Sequence, residues 1–130
     1  MGEICMEKKL KDIDSIIFDL DGTLWDSRRE VAESWSEVIK KYNYERQEVT
    51  FQEINDLMGK TIDEIEDILF PELDKEKRTE ILAECCEKEN AYLAKHGARL
   101  FDNLEDTLYK LSKKYRLFIV SNCQTGYIEA

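Results

Sequence analysis

The sequence predicts an α/β protein: part of a doubly wound parallel sheet with a group of helices inserted after its first strand. Ile16, Ile17 and Phe18 form a short apolar run that is typical of a buried strand. A second such run, RLFIVSN at 116–122, lies near the end of the 130-residue chain. The apolar spacing between the two runs is helical, so they are expected to be strands joined by a right-handed parallel crossover.

Four amphipathic helices are predicted in the intervening segment. Each begins after a residue whose side chain can cap a helix, and these residues are Ser27, Thr50, Thr61 and Asp74. Glu30 follows Ser27 by three positions, as in a capping box. The four helices are expected to end at Asn43, Gly59, Pro71 and Gly97.

Two further patterns concern helix faces. Ile62, Ile65, Ile68 and Leu69 are predicted to share one apolar face of the third helix, and its acids Asp63, Glu64, Glu66 and Asp67 are predicted to be solvated. A fifth helix is predicted after Asn103, which is expected to cap it, with an apolar stripe of Leu104, Leu108 and Leu111.

This order of elements predicts two domains. Residues 1–26 and 98–130 would form an incomplete Rossmann-like core, and residues 27–97 would form a helical cap. Two parallel strands make a poor sheet, because parallel strands are normally buried on both faces. We therefore expect the 130-residue chain to self-associate through an unfinished sheet edge, to aggregate, or to fold only in part outside the cap.

Composition narrows the classes of partner. The formal net charge is −10, which argues against a nucleic-acid or anionic-membrane surface. The sequence has no apolar run as long as a membrane span and no secretory signal pattern, so a cytoplasmic protein is expected. The four cysteines lie at 5, 85, 86 and 123, and without a C-x-x-C pair they indicate reduced thiols rather than a zinc site.

Two acids, Asp19 and Asp21, follow the first predicted strand directly. On an extended backbone, residues two apart point the same way, so both carboxylates can face one substrate or one cation. The carboxyl edge of a parallel sheet is also where open α/β folds bind ligands. A calcium loop is disfavoured, because Leu24 occupies the position at which an EF-hand needs glycine.

The run FDLDGTLWDS resembles the first signature motif of the haloacid dehalogenase-like (HAD) phosphohydrolases, and IVSN resembles their second. The helical insertion is similar to the cap of the subclass that contains phosphoglycolate phosphatases and β-phosphoglucomutases. The resemblance covers the chain from Ile13 to Ile128. It implies a HAD-like core with a helical cap that is truncated after the second motif.

The resemblance also implies roles for residues at the two motifs. Asp19 would attack phosphorus and form an aspartyl-phosphate, and Asp21 would act as general acid and base. Gly22, Thr23, Ser121 and Asn122 would bind phosphoryl oxygens, through hydroxyls or backbone amides. Mg²⁺ would be held by the Asp19 carboxylate and the Asp21 carbonyl oxygen. Dehalogenating members do not keep an aspartate at the second position, so Asp21 favours phosphoryl transfer.

Several questions stay open at the level of sequence. Lys60, between two cap helices, would contact the substrate by analogy with the family, or it would be a solvated residue between two helix ends. The family's third-motif lysine and fourth-motif acids have no counterpart in these 130 residues. The expected function is a Mg²⁺-dependent phosphatase acting on a small phosphorylated metabolite. The alternatives are a phosphomutase of the same family and a truncated module without catalysis.

Overall fold

The structure, a computed structural model, describes residues 13–130. Cys5, one of the four cysteines of the sequence, lies outside this range. Within it, four strands and five helices follow one another in the order β1 Ser15–Phe18, β2 Trp25–Asp26, α1 Arg28–Lys41, α2 Phe51–Leu57, α3 Ile62–Leu69, α4 Lys75–His96, β3 Arg99–Leu100, α5 Leu104–Ser112 and β4 Arg116–Ile119. The fold is therefore mixed α/β, and the predicted fold class is confirmed.

The chain divides into two compact units. Among the described residues, an α/β unit comprises 13–25 together with Leu100–Ser121, and a helical unit comprises Asp26–Arg99 together with Asn122–Ala130. The last of these segments differs from the expectation, which assigned residues 122–130 to the core. It groups with the helices because Tyr127 is buried there, with 3% of its surface exposed. The wider division into a core and a cap stays a prediction.

In the α/β unit, β1 and β4 pair in parallel. Ser15 lies opposite Arg116 and Phe18 opposite Ile119. The predicted parallel strand pair is thus confirmed. Helix α5 precedes β4, and its three leucines are only partly buried, so none of its residues counts as core.

One face of this strand pair is strongly exposed. Ile17 and Phe118 are partners across the two strands, and they are 66% and 48% exposed. Val120 lies two positions beyond Phe118, on the same face of the strand, and is 61% exposed. Three large apolar side chains on one face of a two-stranded sheet form a continuous exposed surface, which we call the open sheet face.

The helical unit contains the main hydrophobic core. Helix α1 contributes Val31, Trp35, Val38 and Ile39 at the predicted spacing. Helices α2 and α4 pack against it with Ile54, Leu57, Ile81 and Leu82, and α3 packs against α4 and adds Ile65 and Leu69 to the same core. Cys85 and Cys86 are also buried there and form no disulfide, as the sequence indicates.

The helix caps follow the sequence in most places. Thr50 with Glu53 and Thr61 with Glu64 form complete capping boxes, and Asp74 accepts a hydrogen bond from the Lys77 N–H at 2.9 Å. Gly97 ends α4 with a positive φ of 68°, a conformation that glycine adopts without strain.

At two predicted N-caps, the expected side-chain hydrogen bond to the helix is absent. Ser27 and Asn103 occupy N-cap positions, but neither side chain makes a cap hydrogen bond. The Ser27 hydroxyl instead lies 2.9 Å from the Tyr127 hydroxyl. Asn103 has a left-handed backbone, with φ of 60°, and its carbonyl accepts a hydrogen bond from the Thr107 hydroxyl.

The faces of α3 also differ from the prediction. Ile65 and Leu69 are buried, whereas Ile62 and Ile68 are 37% and 50% exposed. Glu66, expected to be solvated, is only 2% exposed and accepts a hydrogen bond from Lys75 Nζ at 2.6 Å. The lysine cation compensates the buried carboxylate, so the helix can turn this acid toward α4.

The short strands β2 and β3 pair with each other in a second sheet. Each contains two residues, too few to give a periodic pattern in sequence, and neither was predicted. Among residues 13–130, no helix is both long and apolar enough to cross a membrane.

Candidate active site

The carboxyl ends of β1 and β4 lie side by side. The Val120 N–H donates to the Phe18 carbonyl at 2.9 Å, which extends the parallel ladder one residue past the end of β4. Asp19 and Ser121 are the residues that follow these two bonded positions. Asp19 is exposed and Ser121 is half-buried. The sheet thus carries a predicted nucleophile and a predicted phosphate ligand at the same edge, where parallel sheets bind ligands.

A tight turn follows Asp19 and carries the other residues of the first motif. The Leu20 carbonyl accepts hydrogen bonds from the N–H groups of Thr23 and Leu24, at 3.2 and 2.9 Å. Gly22 has φ of 74°, which explains why glycine stands at this point of the turn. Leu20 and Leu24 are buried, and Thr23 is exposed, so its hydroxyl is accessible to a ligand.

The backbone of Gly22 departs from the expectation. Its N–H donates to the Trp25 carbonyl at 2.9 Å, so in this structure that amide is not available to a phosphoryl oxygen. The turn closes on itself because the chain reverses between Leu20 and Trp25. A role for Gly22 in binding through this N–H would require the turn to open, whereas its role in shaping the turn is evident.

Asp21 is half-buried and is bonded by a side chain of the same turn. The Trp25 indole Nε1–H donates to Asp21 Oδ1 at 3.0 Å, and the two residues form an isolated parallel bridge. The sequence did not predict this bond. The sequence feature that could have indicated it is the spacing of four positions between Asp21 and Trp25 across a turn that contains Gly22.

In the helical unit, Asn122 contacts the loop that carries Lys60. Its side-chain Nδ2 donates to the Gly59 carbonyl at 3.0 Å. Lys60 is half-buried between the end of α2 and the Thr61 capping box that begins α3. Two predicted substrate-binding positions are therefore neighbours within one unit. The bond belongs to the Asn122 side chain, whereas the sequence assigned this residue a backbone role.

The sequence did not foresee how the segment after Asn122 is held. Gln124 donates from Nε2 to Asn90 Oδ1 at 3.1 Å, and Asn90 donates from Nδ2 to the Thr125 carbonyl at 3.0 Å. Tyr127 makes the buried bond to Ser27. These contacts join residues far apart along the chain, so a local sequence pattern does not predict them. Gly126 lies beside Asn90, and a Cβ at that position would meet Asn90 Nδ2 at 3.2 Å.

The buried thiols of Cys85 and Cys86 are unsuited to nucleophilic chemistry. Burial raises the pKa of Cys86 to about 12 and raises the pKa of Cys85 further still. Since the thiolate is the reactive form, these residues are structural at neutral pH. Among the described residues, no group of three or more His, Cys, Asp or Glu side chains is arranged to hold a metal ion.

The family model of the haloacid dehalogenase-like hydrolases matches residues 16–129. The match includes both strand ends described above and the helical unit up to residue 129. The chain belongs to the haloacid dehalogenase-like hydrolase family. The recognition made from FDLDGTLWDS and IVSN is thereby confirmed.

Solved structures of HAD-like proteins have the same fold. A protein described as a haloacid dehalogenase-like hydrolase from Bacteroides fragilis is 26% identical, with a TM-score of 0.74. The alignment covers 91% of this chain and 55% of that one. A predicted phosphoglycolate phosphatase from Haemophilus somnus 129PT is 24% identical, with a TM-score of 0.74, over 87% of this chain and 53% of that one.

A HAD hydrolase of family IA, variant 3, from Entamoeba histolytica has a TM-score of 0.67 at 20% identity, over 90% of this chain and 52% of that one. This chain therefore spans about half the length of each HAD-like structure described. No curated protein matches it.

Proposed function

We propose that the protein is a phosphatase that hydrolyses a small phosphorylated metabolite through an aspartyl-phosphate on Asp19. The observation that carries the proposal is the parallel pairing of β1 with β4, after which Asp19 and Ser121 emerge at one sheet edge. Membership of a hydrolase family supports it. The aspartate at position 21 supports phosphoryl transfer over dehalogenation, by the resemblance stated above.

The proposed reaction has two steps. An Asp19 carboxylate oxygen attacks phosphorus, the bond from phosphorus to the leaving oxygen breaks, and Asp21 gives that oxygen a proton. A water molecule then attacks the aspartyl-phosphate at phosphorus while Asp21 takes the water's proton. Asp19 returns as a carboxylate and inorganic phosphate leaves.

Hydroxyl and amide groups would bind the phosphoryl oxygens. Thr23 is exposed and Ser121 is half-buried, so both hydroxyls are candidates for donors to the developing charge. Lys60 and Asn122 stay proposed substrate-binding residues. Because the Gly22 N–H already donates to Trp25, we propose that Gly22 contributes chiefly by allowing the turn.

Mg²⁺ is the proposed cofactor, since HAD hydrolases generally use it. The donors present fit this ion: Mg²⁺ is usually bound by one or two carboxylates with water and substrate phosphate rather than by a full protein cage. The exposed Asp19 carboxylate and the Asp21 carbonyl oxygen would hold it. When bound, it would offset negative charge on the substrate, which a chain of net charge −10 otherwise repels.

A phosphomutase would use the same Asp19 and Asp21, so it remains an alternative within the proposal. The substrate class, a small phosphorylated metabolite, rests on the family alone. A cytoplasmic location is likewise proposed from the sequence pattern.

The open sheet face favours a second candidate function. Ile17, Phe118 and Val120 are 48 to 66% exposed, and a patch of this kind commonly marks an interaction surface. A non-catalytic module that binds a second copy of itself through this face would account for the exposure. This candidate predicts association without phosphate release.

The test is phosphate release from p-nitrophenyl phosphate by the full-length natural protein, with and without Mg²⁺. We expect activity that EDTA abolishes and added Mg²⁺ restores. Asp19→Asn should lose at least about 1,000-fold in kcat, because it removes the nucleophile. Asp102→Asn is the matched control: it makes the same chemical change at an exposed position outside the proposed site.

Each outcome bears on the proposal. An active Asp19→Asn variant would contradict the role of Asp19, and activity unaffected by EDTA would contradict the cofactor. An inactive wild type that binds itself would favour the second candidate. A screen of phosphoglycolate, nucleotides and sugar phosphates then identifies the substrate.

A further inference from the structure

We infer that Trp25 is a positioning residue for Asp21, holding its carboxyl group in one orientation for proton transfer. The inference rests on the proposed function, in which Asp21 is the general acid and base. Its observation is the hydrogen bond from the Trp25 indole Nε1–H to Asp21 Oδ1, at 3.0 Å.

The backbone of the turn fixes the two residues relative to each other. Asp21 and Trp25 form a parallel bridge, and the Gly22 N–H donates to the Trp25 carbonyl at 2.9 Å. The Leu20 carbonyl accepts from several N–H groups of the same turn. The indole donor therefore belongs to the same rigid turn as its acceptor, so little ordering is needed to form the bond.

The chemistry of indole decides what this bond can do. An indole N–H donates a hydrogen bond but does not accept one, and it does not ionise at neutral pH. Trp25 is therefore an orienting group, and it is no relay for protons. Oδ1 can accept from it whether or not the other carboxyl oxygen carries a proton, so the orientation can persist through both proposed steps.

Fixed orientation matters because Asp21 must meet two different oxygens in turn, that of the leaving group and that of water. Misplacing a reacting group by about 1 Å can cost on the order of 100-fold in rate. Without its indole donor, the half-buried carboxyl group would lose the hydrogen bond that orients Oδ1. The expected loss is therefore in kcat, with little change in substrate binding.

The other tryptophan makes a similar hydrogen bond from its indole to a carboxylate, but within the core of the helical unit. Trp35 Nε1–H donates to Glu89 Oε2 at 2.6 Å, and both residues are buried, at 5% and 4% exposed. This pair joins α1 to α4 inside the core, far along the chain from the acids of the first motif. The protein has only two tryptophans, so each serves as the control for the other.

The first experiment compares Trp25→Phe with Trp35→Phe in the full-length protein. We expect Trp25→Phe to lower kcat roughly 10-fold to 100-fold with KM within about 2-fold, the pattern of a lost transition-state interaction. Trp35→Phe should lower the unfolding midpoint and leave kcat per folded molecule unchanged. Unchanged kcat in Trp25→Phe, or a raised KM alone, would overturn the inference.

The second experiment does not depend on activity. In a ¹H–¹⁵N spectrum the two indole N–H resonances report the two bonds separately. Asp21→Asn should move the Trp25 resonance and leave that of Trp35, and Glu89→Gln should do the reverse. Asp102→Asn should move neither. If the Trp25 resonance does not move in Asp21→Asn, the inference is overturned even when the enzyme is active. If the wild type is inactive but the resonances shift as expected, only the proposed function is overturned.

Discussion

The hydroxyl groups of Ser27 and Tyr127 lie 2.9 Å apart in a buried hydrogen bond between residues 100 positions apart. Ser27 is the N-cap of α1, yet its side chain makes no cap bond. Glu30, its expected partner in a capping box, has a buried Oε2 with no hydrogen-bond partner in the described part of the chain. The Ser27 hydroxyl thus bonds the segment after the second motif, whereas its backbone carbonyl accepts a hydrogen bond from the Val31 N–H of its own helix.

Tyr127→Phe should destabilise the protein by about 1 to 2 kcal/mol, because it leaves the buried Ser27 hydroxyl without this partner. Ser27→Ala should have a similar effect. The double variant should lose less free energy of unfolding than the sum of the two single losses, since both hydroxyl groups are then absent. Urea unfolding measures all three free energies.

The matched control for this cycle is Tyr109→Phe, which removes a hydroxyl from a residue that is 64% exposed. It should be neutral. Additive losses from Ser27→Ala and Tyr127→Phe would show that the two hydroxyls do not act as a pair.

The helix caps give a second prediction. Thr50→Ala and Thr61→Ala should each lower the free energy of unfolding by about 1 kcal/mol, since each breaks a complete capping box. Asn103→Gly should be neutral or stabilising, because Asn103 has φ of 60° and makes no side-chain cap bond. Chemical denaturation tests these values, and a loss at Asn103 equal to that at Thr61 would contradict the assignment.

A third prediction concerns pH. Arg28 donates from Nε to Asp26 Oδ1 at 2.8 Å and from Nη2 to Oδ2 at 2.9 Å. These hydrogen bonds hold the pKa of Asp26 below its usual value. A pKa lowered by folding stabilises the protein fully above the unfolded pKa, about 3.9, and the effect is lost as the pH falls through the folded value.

Asp26→Asn should therefore destabilise the protein by the same amount at pH 7 and pH 5. The difference from wild type should shrink below about pH 4, the range in which the unfolded carboxyl group titrates. Arg28→Gln, which removes the other partner, should show the same pH window. Thermal unfolding between pH 2 and 7 provides the measurement, and a difference that persists unchanged at pH 2 would rule out the ion pair as its origin.

The open sheet face gives a fourth prediction, which tests the proposed self-association. Ile17→Lys in the 130-residue chain should shift sedimentation toward the monomer, because a charge in an exposed apolar patch opposes burial of that patch against another copy. Ile68→Lys is the matched control, since Ile68 is 50% exposed on a helix of the other unit. A wild-type chain that sediments as a monomer, or equal effects of the two variants, would contradict association through this face.

The sequence by itself determined the features that depend on near neighbours. A threonine and a glutamate three positions apart lie within one helical turn, so the boxes at Thr50 and Thr61 could be predicted from spacing alone. The two apolar runs that form β1 and β4 could also be predicted from the sequence. The position of Asp19 and Asp21 was also predictable, since Asp19 follows the last residue of β1 directly and Asp21 comes two positions later.

Only the tertiary structure decided which alternative bond a polar group makes. Ser27 could cap α1 or bond Tyr127, and the choice depends on the path of a segment 100 positions away. The Glu66 side chain can be buried because Lys75, on another helix, compensates its negative charge. Trp25 bonds Asp21 because a glycine turn brings them together. Such bonds depend on three-dimensional proximity, which a pattern of neighbouring residues does not encode.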